Sequence, residues 1–285
     1  MYEKSFVRAT FRQIIFLFHG KSLISRQKYD MNRLGILLVA YVWLWATGVS
    51  AQTDAEKLSR WMAGQTVGEE AVKDYGLDRC FVVEPVNQEL MKRMSGKSYP
   101  KNCTVPAGQL RYLKVLHRRN DGTIGIGEMV CHHSIAEKLR KIFRVLYNEK
   151  YPIERMVLID EYDANDERSM TDNNTSCFCF RRVAGTKRLS KHAQGLAVDI
   201  NPLYNPQVKT SPSPSKGGGR KAASKNNSRL RVSPKAGASY ADRSKAFPYK
   251  VKRGDLCYQL FLKEGFRWGG NWRYSKDYQH FEYLK

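Results

Sequence analysis

A histidine and an aspartate seven residues apart, with a glycine between them, set the tightest condition on how this chain folds. The stretch reads Ser190-Lys-His192-Ala-Gln-Gly195-Leu-Ala-Val-Asp199. On a straight α-helix the two side chains would sit roughly 10 Å apart along the axis. On a straight strand they would be farther apart still, and on opposite faces. They can serve one site only if the chain turns between them, and Gly195 permits such a turn. The sequence therefore predicts a histidine on a loop and an aspartate on the strand that follows.

A second group, Asp277-Tyr-Gln-His280, completes a pattern. A carboxylate three residues before a histidine can set one group on a metal and the other beside its bound water. Two histidines and one carboxylate leave a fourth zinc position open, the arrangement of a catalytic rather than a structural site. Such a site acidifies water, and a free carboxylate then takes the proton as general base. Taken singly, each residue has an ordinary explanation as a hydrogen-bonded loop histidine or a strand-ending aspartate; the combination carries the reading. The six cysteines include no C-x-x-C pair, which argues against a cysteine-built zinc finger.

The first 51 residues carry an export signal. Met31-Asn-Arg33 precedes an apolar stretch from Leu34 to about Ala46, and Val49-Ser-Ala51 supplies the small residues of a signal-peptidase site. The stretch is shorter than the roughly 20 residues of a membrane-spanning helix. Cleavage is expected between Ala51 and Gln52, with residues 1–30 an upstream extension and 31–51 the signal proper. An uncleaved membrane anchor is the alternative. The expected location is the periplasm, with secretion as a second possibility. Export into an oxidising compartment allows disulfides, and Cys80–Cys103 is the expected pair.

The net charge is +22, from 49 Lys+Arg against 27 Asp+Glu, and +17 once residues 1–51 are removed. A field this positive favours an anionic partner. Nucleic acid is a poor candidate, because it conflicts with the export signal and no reading motif is present. Nothing in the sequence implies a stable protein partner.

Residues 52–79 read as a polar lead-in and residues 80–285 as the domain. Leu110 to Val130 predicts a hairpin turning at Asn120-Asp-Gly122. Ile135, Leu139, Ile142, Phe143 and Leu146 form one helical stripe, with Ser134 and Glu137 as a capping box. Short strands are expected at Met156–Ile159, Cys177–Arg181 and Ala197–Ile200, and a short helix around Leu256–Phe261 that stops at Gly265. Residues 207–234 hold seven Lys/Arg, no acid and a triple glycine, which predicts a flexible basic insertion. Strands and helices without βαβ alternation indicate an α+β fold.

The stretch Ser190 to Pro202 resembles the first metal motif of the VanY-like zinc peptidases, S-x-H-x-x-G-x-A-x-D, at every fixed position. These are D-alanyl-D-alanine carboxypeptidases and L-alanyl-D-glutamate endopeptidases of bacterial walls and phage lysins. Asp277-Tyr-Gln-His280-Phe-Glu resembles their second motif, and Asn174-Thr-Ser176, Phe178 and Arg181 resemble a strand whose arginine faces the substrate. The resemblance covers roughly residues 80–285 without the insertion. It implies a small antiparallel sheet with flanking helices, in the Hedgehog/D-Ala-D-Ala-peptidase-like fold. It also implies Zn2+ on His192, Asp199 and His280, with Asp277 as general base and Arg181 near the scissile carbonyl. Glu282 competes for the base role and is the better candidate for supporting His280. The implied partner is the peptidoglycan stem peptide, with anionic wall polymer as a further partner of the insertion. The alternative is a non-catalytic wall-binding protein with a structural zinc site. Cys177, Cys179 and the insertion depart from the family pattern.

Overall fold

Alternation of apolar residues around Asn120-Asp-Gly122 produces the longest hairpin of the protein, whose computed structural model describes residues 52–183, 186–212, 228–273 and 275–284. The expected extension and signal, residues 1–51, lie outside the described residues. Strands β3 (Leu110–Arg118) and β4 (Ile124–His132) pair from Leu110↔His132 to Arg118↔Ile124. Their turn closes on Asp121, whose Oδ1 accepts from the Thr123 amide at 2.9 Å, with Gly122 at φ +85°. Short edge strands β1 (Thr66–Val67) and β2 (Val82–Pro85) complete an antiparallel sheet in the order β1-β4-β3-β2.

Behind this sheet lies the predicted amphipathic helix. The long helix (His133–Asn148) buries Ile135, Leu139, Ile142, Phe143 and Leu146, the whole predicted stripe. We number it α4, after α1 (Asp54–Ser59), α2 (Glu69–Tyr75) and α3 (Gln88–Met94). Its cap differs from expectation. His132 is the N-cap, and its Nδ1 accepts from the Ser134 amide; Glu137 instead pairs with Arg140. The helix thus starts two residues earlier than a Ser134 cap allows, because the last residue of β4 supplies the acceptor.

Two further three-stranded antiparallel sheets carry the rest. One has the order β5-β10-β8, from β5 (Ala197–Asp199), β8 (Phe266–Trp268) and β10 (His280–Tyr283). The other has the order β7-β6-β9, from β6 (Gln207–Pro212), β7 (Ser228–Ser233) and β9 (Ser275–Asp277). Helix α5 (Asp166–Thr171) lies between the first and second sheets in sequence, and α6 (Leu256–Lys263) precedes β8. Mixed helices and small antiparallel sheets agree with the α+β reading, with three sheets among the described residues in place of one.

The second sheet is fastened to α4 through aromatic rings. Phe261 of α6 stacks on Phe281 with centroids 4.3 Å apart and meets Phe143 edge-on at 6.4 Å. Each such pair adds about 1 kcal/mol beyond the area buried. Because strand side chains alternate, burying Phe281 in the core turns His280 and Glu282 to the other face of β10.

Several expectations need correction. Residues 52–79 are anchored in the core: Leu58, Trp61, Val67 and Val72 are buried in it, and Trp61 Nε1 donates to the Gly127 carbonyl at 3.0 Å. The compact unit accordingly spans 52–285. Met156–Ile159 is buried but forms no strand, since the Asn174 side chain bonds both the amide and the carbonyl of Val157. Cys177–Arg181 is not a strand either. The amides of Ser176, Phe178, Cys179 and Phe180 bond Asp199, Val130, His192 and Ser98, four separate segments, so no ladder forms. The basic insertion begins and ends as paired strands, β6 and β7; its centre, 213–227, lies outside the described residues. All six cysteines are free. Cys80 is buried in the main core and Cys103 packs against a second cluster around Leu90 and Met94, so the expected Cys80–Cys103 disulfide is absent.

Candidate metal centre

The turn from His192 to Asp199 is built as its glycine requires. Ser190 Oγ accepts from the Ala193 amide at 3.0 Å, opening a single 3-10 turn over His192–Gln194. Gly195 then takes φ +65°. A Cβ there would lie 2.6 Å from the His132 nitrogen, so the close approach to the end of β4 also demands glycine. The chain reverses and enters β5, which ends on Asp199.

Asp199 is held on both sides. Its amide and carbonyl bond Ser176, and on the other edge it is the Cα partner of His280. His280 therefore arrives beside Asp199 by strand register although it lies 81 residues away.

Three ligand atoms converge from these elements. His192 Nε2 lies 3.3 Å from Asp199 Oδ2, His280 Nδ1 lies 3.0 Å from Asp199 Oδ1, and the two imidazole nitrogens are 3.2 Å apart. Their potential donors all fall within 4.8 Å of one another, the one such group of three or more among the described residues. All three residues are buried. His192 Nδ1 lies 2.7 Å from the Cys177 carbonyl. A carbonyl only accepts, so Nδ1 carries the proton and Nε2 turns its lone pair inward, the orientation a metal-binding imidazole takes. On the far side of His280, Nε2 faces Glu282 Oε2 at 3.6 Å, and Glu282 in turn faces Arg267.

Two nitrogens and a carboxylate at this spacing fit a zinc ion bonded at about 2.0–2.2 Å. The Asp199 charge agrees. Burial alone would raise the Asp199 carboxyl, yet His192 and His280 hold it far below the usual carboxylate range. Burial would lower His280, but Asp199 and Glu282 hold it well above its usual value, so a metal ion on this ring would have to displace a proton. Cys177 and Cys179 are buried without joining the cluster; the Cys177 thiol points to the Gly195 carbonyl.

Asp277 ends β9, three residues before His280, and is 7% exposed. Gln207 Nε2 donates to its Oδ2 at 2.5 Å, while Oδ1 is buried without a hydrogen-bond partner. Burial pushes its carboxyl up to about 6, with Asp199 adding to the effect and His280, Gln207 and His192 opposing it. A glycine again makes the approach possible. A Cβ on Gly269 would lie 2.7 Å from the Asp277 carbonyl and 3.3 Å from His280 Cβ. Trp272, just beyond, packs its ring 5.4 Å from that of His280.

Arg181 is not one of the converging groups, although the Asp199 charge acts on it. Its Nε is 2.5 Å from Asp166 Oδ2, and it lines a cleft of about 290 Å³ with Asn102, Thr104, Phe180, Arg182 and Leu189. Burial opposes its charge, but Asp166, Cys179 and Asp199 together hold the guanidinium above its usual value. Arg182 is turned onto its own loop, donating to the Lys187 carbonyl.

Residues 184–283 match the family model described as D-alanyl-D-alanine carboxypeptidase. The matched span is roughly a third of the chain and holds both motifs, so the resemblance read from them is upheld by this comparison. Arg181 and the first sheet lie outside it. No curated protein and no solved structure matches the chain.

Two contributors to the site were missed in the sequence. Gln207 fell inside a segment read as flexible, and nothing in its local composition signals a partner 70 residues away. Trp272 had a visible signal, a large aromatic among glycines close to the second motif, but no periodicity to say where it packs.

Proposed function

We propose that this protein is an exported, zinc-dependent peptidase that hydrolyses a peptide bond adjoining a D-amino acid in peptidoglycan. The observation that carries the proposal is the convergence of His192 Nε2, Asp199 and His280 Nδ1 beside a buried carboxylate, Asp277, with one oxygen free. The family match over the same residues supports a peptidase, and the wall peptide as its substrate.

In this reading His192, Asp199 and His280 hold the ion. Bound zinc supplies a Lewis acid that polarises a carbonyl and acidifies water. Asp277 Oδ1 takes the proton of the attacking water and returns it to the leaving amine, which needs a carboxylate that is unpaired on one side and shielded from bulk water. Glu282 fixes the His280 ring. Arg181 is assigned the positive charge that meets the substrate near the scissile carbonyl. The strong positive charge of the mature chain, +17, suits an anionic wall. The signal read over residues 31–51 suits export to the periplasm, with secretion or an uncleaved membrane anchor as the alternative.

The test is digestion of purified muropeptides by the zinc-loaded protein, with a chelated control, read by mass spectrometry. Loss of a terminal alanine identifies a D,D-carboxypeptidase; release of a peptide lacking its first L-alanine identifies an endopeptidase. Intact muropeptides combined with retention on wall sacculi would replace the enzyme by a binding protein with a structural zinc.

A further inference from the structure

Gln207 is the Cα partner of Asp277 where β6 pairs with β9, and Val208↔Lys276 and Lys209↔Ser275 continue that register. Across the same pair the Gln207 amide reaches Asp277 Oδ2 at 2.5 Å, while Oδ1 is left buried and unpartnered. The strand that delivers Gln207 is one arm of the basic hairpin β6–β7, which pairs from Gln207↔Ser233 outward.

We propose that the base of this hairpin belongs to the working site: Gln207 is a positioning residue that holds Asp277 by Oδ2, so that Oδ1 is the oxygen left to carry the proton. This rests on the peptidase reading above. The chemistry favours an amide for the task. A carboxylate only accepts, so the Gln207 group facing it is Nε2 and not Oε1. An amide has no proton to trade at ordinary pH, so it fixes the carboxylate without competing for the proton that Asp277 moves. Strand pairing sets the distance, and a site built on paired strands holds its geometry better than one on a free loop. The other charges bearing on Asp277 are His280 of β10, Asp199 of β5 and His192 of the preceding turn. Among the described residues none of them bonds Oδ2, so Gln207 is the group that distinguishes the two oxygens.

The test uses the full zinc-loaded chain with Gln207→Met, which keeps the volume and removes the donor, and Gln207→Glu, which replaces the donor by an acceptor. Lys209→Ala, an exposed side chain on the same strand, is the control. Gln207→Met is expected to lower kcat for muropeptide cleavage about tenfold to a hundredfold, the scale of one hydrogen bond to a charged group. KM and zinc content should change little. The acid limb of the pH profile should move to higher pH, because the lost bond favoured the ionised form. Gln207→Glu should move it further, and Lys209→Ala should match wild type. Carboxyl ¹³C resonances, with Asp277 assigned by its loss in Asp277→Asn, should show Asp277 titrating at higher pH in Gln207→Met. Wild-type kcat, an unmoved acid limb and an unmoved Asp277 resonance in Gln207→Met would overturn the proposal. If the wild type cleaves no muropeptide, the peptidase reading falls on its own. The resonance then decides alone: moved, it upholds the hold of Gln207 on Asp277; unmoved, it overturns it.

Discussion

His280 is bracketed by two carboxylates: Nδ1 lies 3.0 Å from Asp199 Oδ1, and Nε2 lies 3.6 Å from Glu282 Oε2 on the same strand. One side of the ring faces the cluster and the other is backed by an acid that orients it. Glu282→Gln should therefore weaken zinc binding about tenfold to a hundredfold, the usual effect of removing a carboxylate behind a ligating histidine. Competition with a zinc indicator reads this directly, and an unchanged affinity would remove Glu282 from the site.

Asp277 separates binding from turnover. Asp277→Asn keeps the shape and the contact strand while removing the basic oxygen. It should retain one zinc per chain and lose about a hundredfold to ten-thousandfold in kcat, the range of general acid–base catalysis. Metal analysis alongside kinetics checks both halves, and full activity in this variant would rule Asp277 out as the base.

Gly195→Ala should damage both fold and site. The new Cβ would meet the His132 nitrogen at 2.6 Å with φ at +65°, a combination costing about 2 kcal/mol or more. A lower urea midpoint together with weaker zinc binding is expected, since the same turn carries His192.

His117 predicts how stability depends on pH. It is buried, with Nδ1 2.7 Å from the Ile153 carbonyl. Burial, with Arg119 and Arg155 adding to it, lowers its pKa to about 4 from the ordinary 6.5. Between those values the unfolded chain binds more protons than the folded one, so stability rises with pH there. The contribution is complete above pH 6.5 and is lost as pH falls toward 4. From pH 7.5 to 5 the loss is about 2 kcal/mol. Urea unfolding at both pH values should show a drop in wild type that exceeds the drop in His117→Gln by this amount. Equal drops would contradict the assignment.

What the sequence disclosed was local. The condition on His192, Gly195 and Asp199 could be read because a seven-residue spacing and one glycine decide it, and the stripe from Ile135 to Leu146 because helical periodicity does. Gly265 likewise ends α6 where the glycine predicts, at φ +91°. What failed was decided by distant partners. Cys177–Arg181 looked like a strand, yet the amides of Phe178, Cys179 and Phe180 bond three separate segments. Residues 52–79 looked polar, but four well-spaced residues, Leu58, Trp61, Val67 and Val72, suffice to anchor the segment to the core. Gln207 was hidden for the same reason, since only the pairing of β6 with β9 brings it to Asp277.

In the proposed function, His192, Asp199 and His280 hold a zinc ion on which peptide cleavage depends. The most direct test is to strip the protein with a chelator, titrate zinc back, and follow bound metal and muropeptide cleavage in the same samples. Cleavage should rise with bound zinc, saturate at one ion per chain, and be absent in His192→Ala and His280→Ala. Cleavage by the metal-free protein, or full cleavage in either variant, would contradict it.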